Sequence, residues 1–179
     1  MAVFTAIAIA SLAVSAYGAY KASKAAKDAG KAQQSAANSQ ADLAEYNAGI
    51  ADVQATDATA RGAEDESRFR MGVRGMIGAQ RAGIAAGNID VGYGSAVDVQ
   101  ADAAFLGELD ALTVRTNAAR EAWGYKVGAE DLRRRAAISR KEGVNLAATG
   151  DANAATIRVQ AGATLLTGAG NLMQARYGK

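Results

Sequence analysis

Three groups of residues have types and spacings that could support chemistry. Residues 87–95 read Gly-Asn-Ile-Asp-Val-Gly-Tyr-Gly-Ser, and the run Gly92-Tyr93-Gly94-Ser95 has the outline of a phosphate-binding loop. Such a loop needs a strand before it and a basic residue or a nucleotide-fold helix around it. Here helical sequence precedes the glycines and no lysine follows them. The stretch is better suited to reversing the chain: Gly87 or Asn88 fits the left-handed position that ends a helix, and Ser95 with Asp98 resembles the capping box that begins one. The second group, Asp98, Asp102, Glu108 and Asp110, offers carboxylates to a hard cation or to acid–base work. On a charged helix they are more simply a solvated or salt-bridged face. The third, Arg133, Arg134, Arg135 and Arg140, has phosphate-binding chemistry, but Glu130, Asp131 and Glu142 lie among these arginines. This leaves at most non-specific contact with nucleic acid.

The remaining composition narrows the chemistry further. The 179 residues include no cysteine and no histidine, which excludes disulfides, thiolate nucleophiles, histidine bases and soft-metal sites. Twenty basic and 18 acidic residues leave a net charge of +2, too little for a bulk electrostatic attraction to nucleic acid. The expectation is a structural protein and not an enzyme, with no catalytic residue, no cofactor and no metal.

The elements that position these residues are helical. Roughly a quarter of the chain is alanine, aromatics make up 6%, and there is no proline to interrupt a helix. Alanine buries little area, so such a chain depends on helix propensity and on close approach between helices. The all-α fold expected is an elongated antiparallel hairpin of two long helices, with a central turn near 87–95, assembling into a ring or tube. Its parts are an apolar helix at 1–20, an outgoing helix at 21–86, the turn at 87–95, a returning helix at 96–149 and a glycine-rich apolar segment at 150–179. Gly150, Gly168 and Gly170 are candidate breaks in that last segment. In the returning helix, Ala101, Phe105, Leu109 (or Leu112), Thr116, Ala119 and Trp123 recur at spacings of three and four, the pattern of one packed seam. Phe105, Leu109, Leu112 and Trp123 are accordingly the expected packing residues, and Gly87, Asn88, Gly92, Gly94 and Ser95 the expected hinge.

The uncharged stretch 2–20 approximates a bilayer core in length and ends at Lys21, Lys24 and Lys27. As a secretory signal it lacks a basic leader. Two readings remain: a buried helix of an alanine-rich bundle, or a helix able to enter a membrane with Tyr17, Tyr20 and the lysines at the headgroup boundary. Under the second reading the inserting residues are Ala2, Phe4, Ile7, Ile9, Leu12, Tyr17 and Tyr20. Leu165, Leu166 and Leu172 of the uncharged segment 161–173 would join them.

If the arms fold back tightly, residues lie level when their numbers add to about 182. Arg74 then faces Glu108, Arg70 the region of Asp110, and Arg81 faces Asp98 and Asp102. Glu64, Asp65 and Glu66 fall near Arg115 and Arg120, and Asp42 and Glu45 near Arg135 and Arg140. Asp52 beside Glu130 and Asp131 is a mismatch. The same register brings the two uncharged segments together at the far end of a stalk about 100 Å long.

Between about residues 68 and 135 the chain resembles a known family. The run QRAGIAAGNIDVGYGSAVDV, followed by GELDALTVRTNAAREAWGY, is similar to the smallest internal virion (ejection, or core) protein of short-tailed bacteriophages. The resemblance covers roughly 40% of the chain. It implies a protein packaged near the portal and expelled into the host envelope. There, with larger ejection proteins, it would help form a conduit for the genome at the outer membrane. It also implies a ring-like homo-oligomer, contacts with portal or tail proteins, a host membrane as a later partner, and no catalytic residues.

Overall fold

A computed structural model describes the backbone of residues 2–177 and the side chains of residues 13–171, 173 and 174. Two helices account for nearly all of it: α1, Ala2–Ala86, and α2, Ser95–Tyr177. Among the described residues there is no strand. α2 continues through Gly150, Gly168 and Gly170, so the expected breaks do not occur. A helix-interior glycine is unfavourable by about 1 kcal/mol against alanine, which is too little to interrupt a helix whose neighbours are mostly alanine and other good helix formers.

The chain divides into two compact units, residues 45–133 and residues 1–44 with 134–179. In the first, α1 and α2 are joined by the turn and run antiparallel. α1 ends in a Schellman motif: the Asn88 N–H donates to the Ala85 carbonyl (3.0 Å) and the Ile89 N–H to the Ile84 carbonyl (3.3 Å). Asn88 occupies the left-handed position at φ 61°. Asparagine is one of the few residues with a side chain that adopts this conformation readily. The Asp90 carboxylate accepts the Gly92 N–H at 2.8 Å and tightens the loop. α2 then starts on the Gly94 carbonyl, which receives the N–H groups of Val97 and Asp98. The cap is thus the Gly94 backbone, with Gly94 at φ 64°. Ser95 is already the first helical residue, which corrects its expected role as the side-chain cap. Asp98 sits in the first turn, where the helix dipole favours a negative charge.

The seam of this unit consists of small residues. Ala48, Ala55, Ala58, Ala111, Ala122 and Ala129 are buried, and Tyr125 packs over the Ala55–Ala58–Ala122 cluster. Close approach depends on glycine at two places. A Cβ at Gly62 would fall 2.1 Å from the Ala118 Cβ, and one at Gly107 would fall 2.5 Å from a Val73 methyl.

The second unit has the same construction with still smaller residues. Ala37, Ala41, Ala136 and Ala154 are buried, as is Ser23. At Gly30 a Cβ would lie 2.9 Å from the Gly150 Cα, so the two backbones are in direct contact there. The Ser23 hydroxyl donates to the Tyr20 carbonyl at 2.9 Å, which satisfies a polar group otherwise expensive to bury.

Candidate functional site

The close pairs fix a common register within each unit. Gly30 with Gly150, Gly62 with Ala118, and Val73 with Gly107 all have numbers adding to 180, close to the expected 182. Charges follow this register in part. Arg140 binds Asp42 at 3.0 Å and Lys27 binds Asp151 at 3.3 Å, while Arg61 binds Glu121 at 3.2 Å. Arg70 takes Glu108 with Nε–Oε2 at 3.1 Å, and also Glu66 at 2.9 Å. Arg74 therefore does not hold Glu108. Glu64 and Asp65 pair along their own helix with Arg68, and Glu66 with Arg70, instead of reaching Arg115 and Arg120. Asp52, the expected mismatch, is matched by Arg133, which also binds Glu130. A guanidinium reaches more than one helical turn, so register alone does not select its carboxylate.

Hydrogen bonding to Glu108 holds the Arg70 guanidinium above the ordinary arginine value, and bonding to Glu130 and Asp52 does the same for Arg133. A raised folded-state pKa contributes stability throughout the range below the unfolded value, so neither pair introduces a pH dependence near neutrality.

The turn chemistry rests on a residue with no obvious sequence signal. Gln100, 8% exposed, donates through Nε2 to the carbonyls of Val91 (3.2 Å) and Ala96 (2.9 Å), and accepts from Arg81 Nε at 2.6 Å. One amide therefore ties both helices to the loop, and Arg81 reaches it instead of Asp98 or Asp102. In the loop, the Asp90 carboxylate interacts with the backbone N–H of Gly92. Among the described residues no three acidic, histidine or cysteine side chains gather where they could hold a metal ion.

Phe105, Leu109, Leu112 and Trp123 are not in the seam. Phe105 is 64% and Trp123 67% exposed, and the two leucines are also exposed. The periodicity read from the sequence is present, but it marks the outward face of α2, while the seam runs through Ala103, Gly107, Ala111, Ala118 and Ala122. The seam had its own signal. Ala41, Ala48, Ala55 and Gly62 recur every seven residues, as do Ala122, Ala129, Ala136, Gly143 and Gly150. Its residues are small, so the stripe of larger apolar residues at the same spacing dominates the sequence pattern. Beside the seam, Phe69, Val73, Met76, Val99 and Leu106 line an open groove of about 650 Å³, where Gln80 Oε1 is buried without a hydrogen-bond partner.

The apolar ends do approach each other in their own unit. Ser15 and Ala19 lie against Ile157, Gln160, Ala161 and Thr164. Tyr17 and Tyr20 are exposed, with the Lys21 ammonium 5.2 Å from the Tyr17 ring centre, and Leu166 is exposed beside a half-buried Leu165. The side chains of Ala2, Phe4, Ile7, Ile9, Leu12 and Leu172 lie outside the described residues. Among the described residues no helix is long and apolar enough to cross a membrane.

Comparison with curated proteins and with solved structures finds no match. The pattern of one family, the T7 virus internal virion protein gp14 family, matches residues 1–152. That span takes in the whole turn, the capped helix ends and most of both small-residue seams. With so much of its length matched, this chain belongs to the T7 virus internal virion protein gp14 family.

Proposed function

We propose that this phage internal virion protein leaves the capsid with the genome and helps form a channel through the host envelope, at the outer membrane, together with larger ejection proteins. Its role is structural, with no catalytic step. Family membership supports the virion part of this reading. The observation that carries the envelope part is the pairing of the end of the uncharged segment 2–20 with the start of the segment 161–173. Two adjacent small-residue helices bordered by Lys21, Lys24 and Lys27 make a better inserting unit than either alone. Tyr17 and Tyr20 are exposed where a headgroup boundary would receive them.

Dye release from phospholipid vesicles tests this reading. The full chain should release dye, and a variant carrying Ile7→Asp and Ile9→Asp should release far less. Equal release by the two would remove the apolar segment from the mechanism.

A second reading, an assembly protein or portal–tail adaptor that never enters lipid, is favoured by the exposed stripe of Phe105, Leu109, Leu112 and Trp123. Such a stripe suits protein neighbours. Under this reading the full chain releases no dye.

A further inference from the structure

The net charge of +2 conceals two opposite excesses. Residues 45–133 include nine basic and 14 acidic side chains, whereas residues 1–44 with 134–179 include 11 basic and four acidic ones. Such a split within one chain is a mark of proteins that meet a polyanion through their basic part. The basic excess is sorted further inside its own unit. Asp28 and Asp151 stand level there, close to the register set by Gly30 with Gly150. Past them, residues 1–27 and 152–179 contain six lysines and arginines and no acid.

Three of these cations form a band beside the uncharged segments. Arg158 comes level with Lys21 and Lys24, its Nε donating to the Ser23 hydroxyl at 3.4 Å. All three cations are exposed, and among the described residues none of them enters an ion pair. Lys27 differs: it is half-buried and held by Asp151 at 3.3 Å. Because Arg158 spends only Nε on Ser23, both of its terminal NH2 groups remain for the oxygens of a phosphate. The Lys21 ammonium lies 5.2 Å from the Tyr17 ring centre, and Tyr17 and Tyr20 are themselves exposed. From Tyr17 to Lys24 the helix rises about 10 Å, comparable with the Debye length in about 0.1 M salt. A headgroup layer that receives the tyrosines is therefore within electrostatic reach of the whole band. A nucleic acid would answer the charge alone. A lipid surface answers the charge and also the uncharged segments 2–20 and 161–173 that adjoin it.

We propose that this unit selects an anionic phospholipid bilayer, binding headgroup phosphates through Lys21, Lys24 and Arg158. Zwitterionic lipid offers the apolar segments the same interior without the surface charge. Each cation held near an anionic surface raises partitioning about fivefold. The acidic unit 45–133 gains nothing from such a surface, so the preference resides in the basic one. This inference rests on the membrane part of the proposed function and names the lipid that it meets.

Co-sedimentation of the full chain with vesicles tests it, using phosphatidylcholine alone and phosphatidylcholine mixed with phosphatidylglycerol. Wild-type protein should bind the anionic vesicles about a hundredfold more tightly, a difference that high salt removes. A variant with Lys21→Gln, Lys24→Gln and Arg158→Gln should lose most of that preference, with helix content and binding to neutral vesicles unchanged. Taking the same charge from the other unit, with Arg74→Gln, Arg115→Gln and Arg120→Gln, should leave the preference intact. An equal loss there would reduce the effect to net charge and overturn the proposal. Equal binding of wild-type protein to both vesicles, with dye released from both, keeps the membrane reading and overturns this inference alone. Neither binding nor dye release from either vesicle removes the membrane reading and this inference with it. Duplex DNA bound by the wild type and lost in the first variant, with both vesicles bound alike, would assign the band to nucleic acid instead.

Discussion

The two apolar faces of α2 between residues 96 and 129 differ in every respect except periodicity. The inner face is mostly alanine and glycine, and Ala111 and Ala129 are fully buried on it. The outer face has Phe105, Leu109, Leu112 and Trp123, large side chains left in solvent. The usual expectation puts the large residues inside. Here the small ones are inside, because close backbone approach maximises contact along a long seam, and a single Phe or Trp there would force the helices apart. The large residues are then available to a neighbour.

The sharpest way to break this contrast is to exchange the characters of the faces. Ala111→Leu should overpack the seam and destabilise the chain by about 1–3 kcal/mol. Phe105→Ala on the outer face should change the stability of the monomer by no more than about 0.5 kcal/mol. Denaturant unfolding of both variants at low protein concentration checks this, and a larger loss from Phe105→Ala would place the energetic core on the wrong face.

Glycine makes a second test with opposite signs. Gly30→Ala sets a Cβ 2.9 Å from the Gly150 Cα and 3.0 Å from the Leu146 carbonyl oxygen, so the backbones must separate. It should lower the melting temperature despite the better helix propensity of alanine. Gly75→Ala, which meets nothing, should stabilise by about 0.5–1 kcal/mol. Thermal melts of the two variants sharpen the comparison, since equal shifts would mean that the seam at Gly30 is looser than its geometry implies.

At the turn, Asn88→Ala should destabilise by about 1–2 kcal/mol through its left-handed backbone, whereas Asn88→Gly should be close to neutral. The smallest effect belongs to the surface charges. Arg61→Gln, which removes the contact with Glu121, should lower stability by about 0.2–1 kcal/mol and lose that effect in high salt. Its melting temperature measured at low and high ionic strength would show it.

Much of this was legible in the sequence. The reversal at 87–95, a register near 182 against the observed 180, and the approach of the apolar segments followed from the position of the glycine-rich turn, whereas most of the charge pairs expected from that register did not form. The identity of the seam did not follow, although Ala41, Ala48, Ala55 and Gly62 stand at heptad spacing. Both stripes satisfy the same three-and-four periodicity, and periodicity alone carries no information about which face a neighbouring helix covers. Gln100 was invisible for a different reason. A lone glutamine near a helix start gains its role only when Val91, Ala96 and Arg81 converge on it.

By itself, the sequence determined that the chain is helical, that it reverses once and roughly which residues come level. Alanine content, the lack of proline and one glycine-rich interruption are local properties, and they suffice for local conformation. Only the tertiary structure decided which face became the seam, which arginine took which carboxylate and which glycines are spent on helix contact. These outcomes depend on the separation and rotation of two helices about their axes. Backbone contact at Gly30 and Gly150 and the fit of Val73 against Gly107 fix that separation and rotation in their respective units.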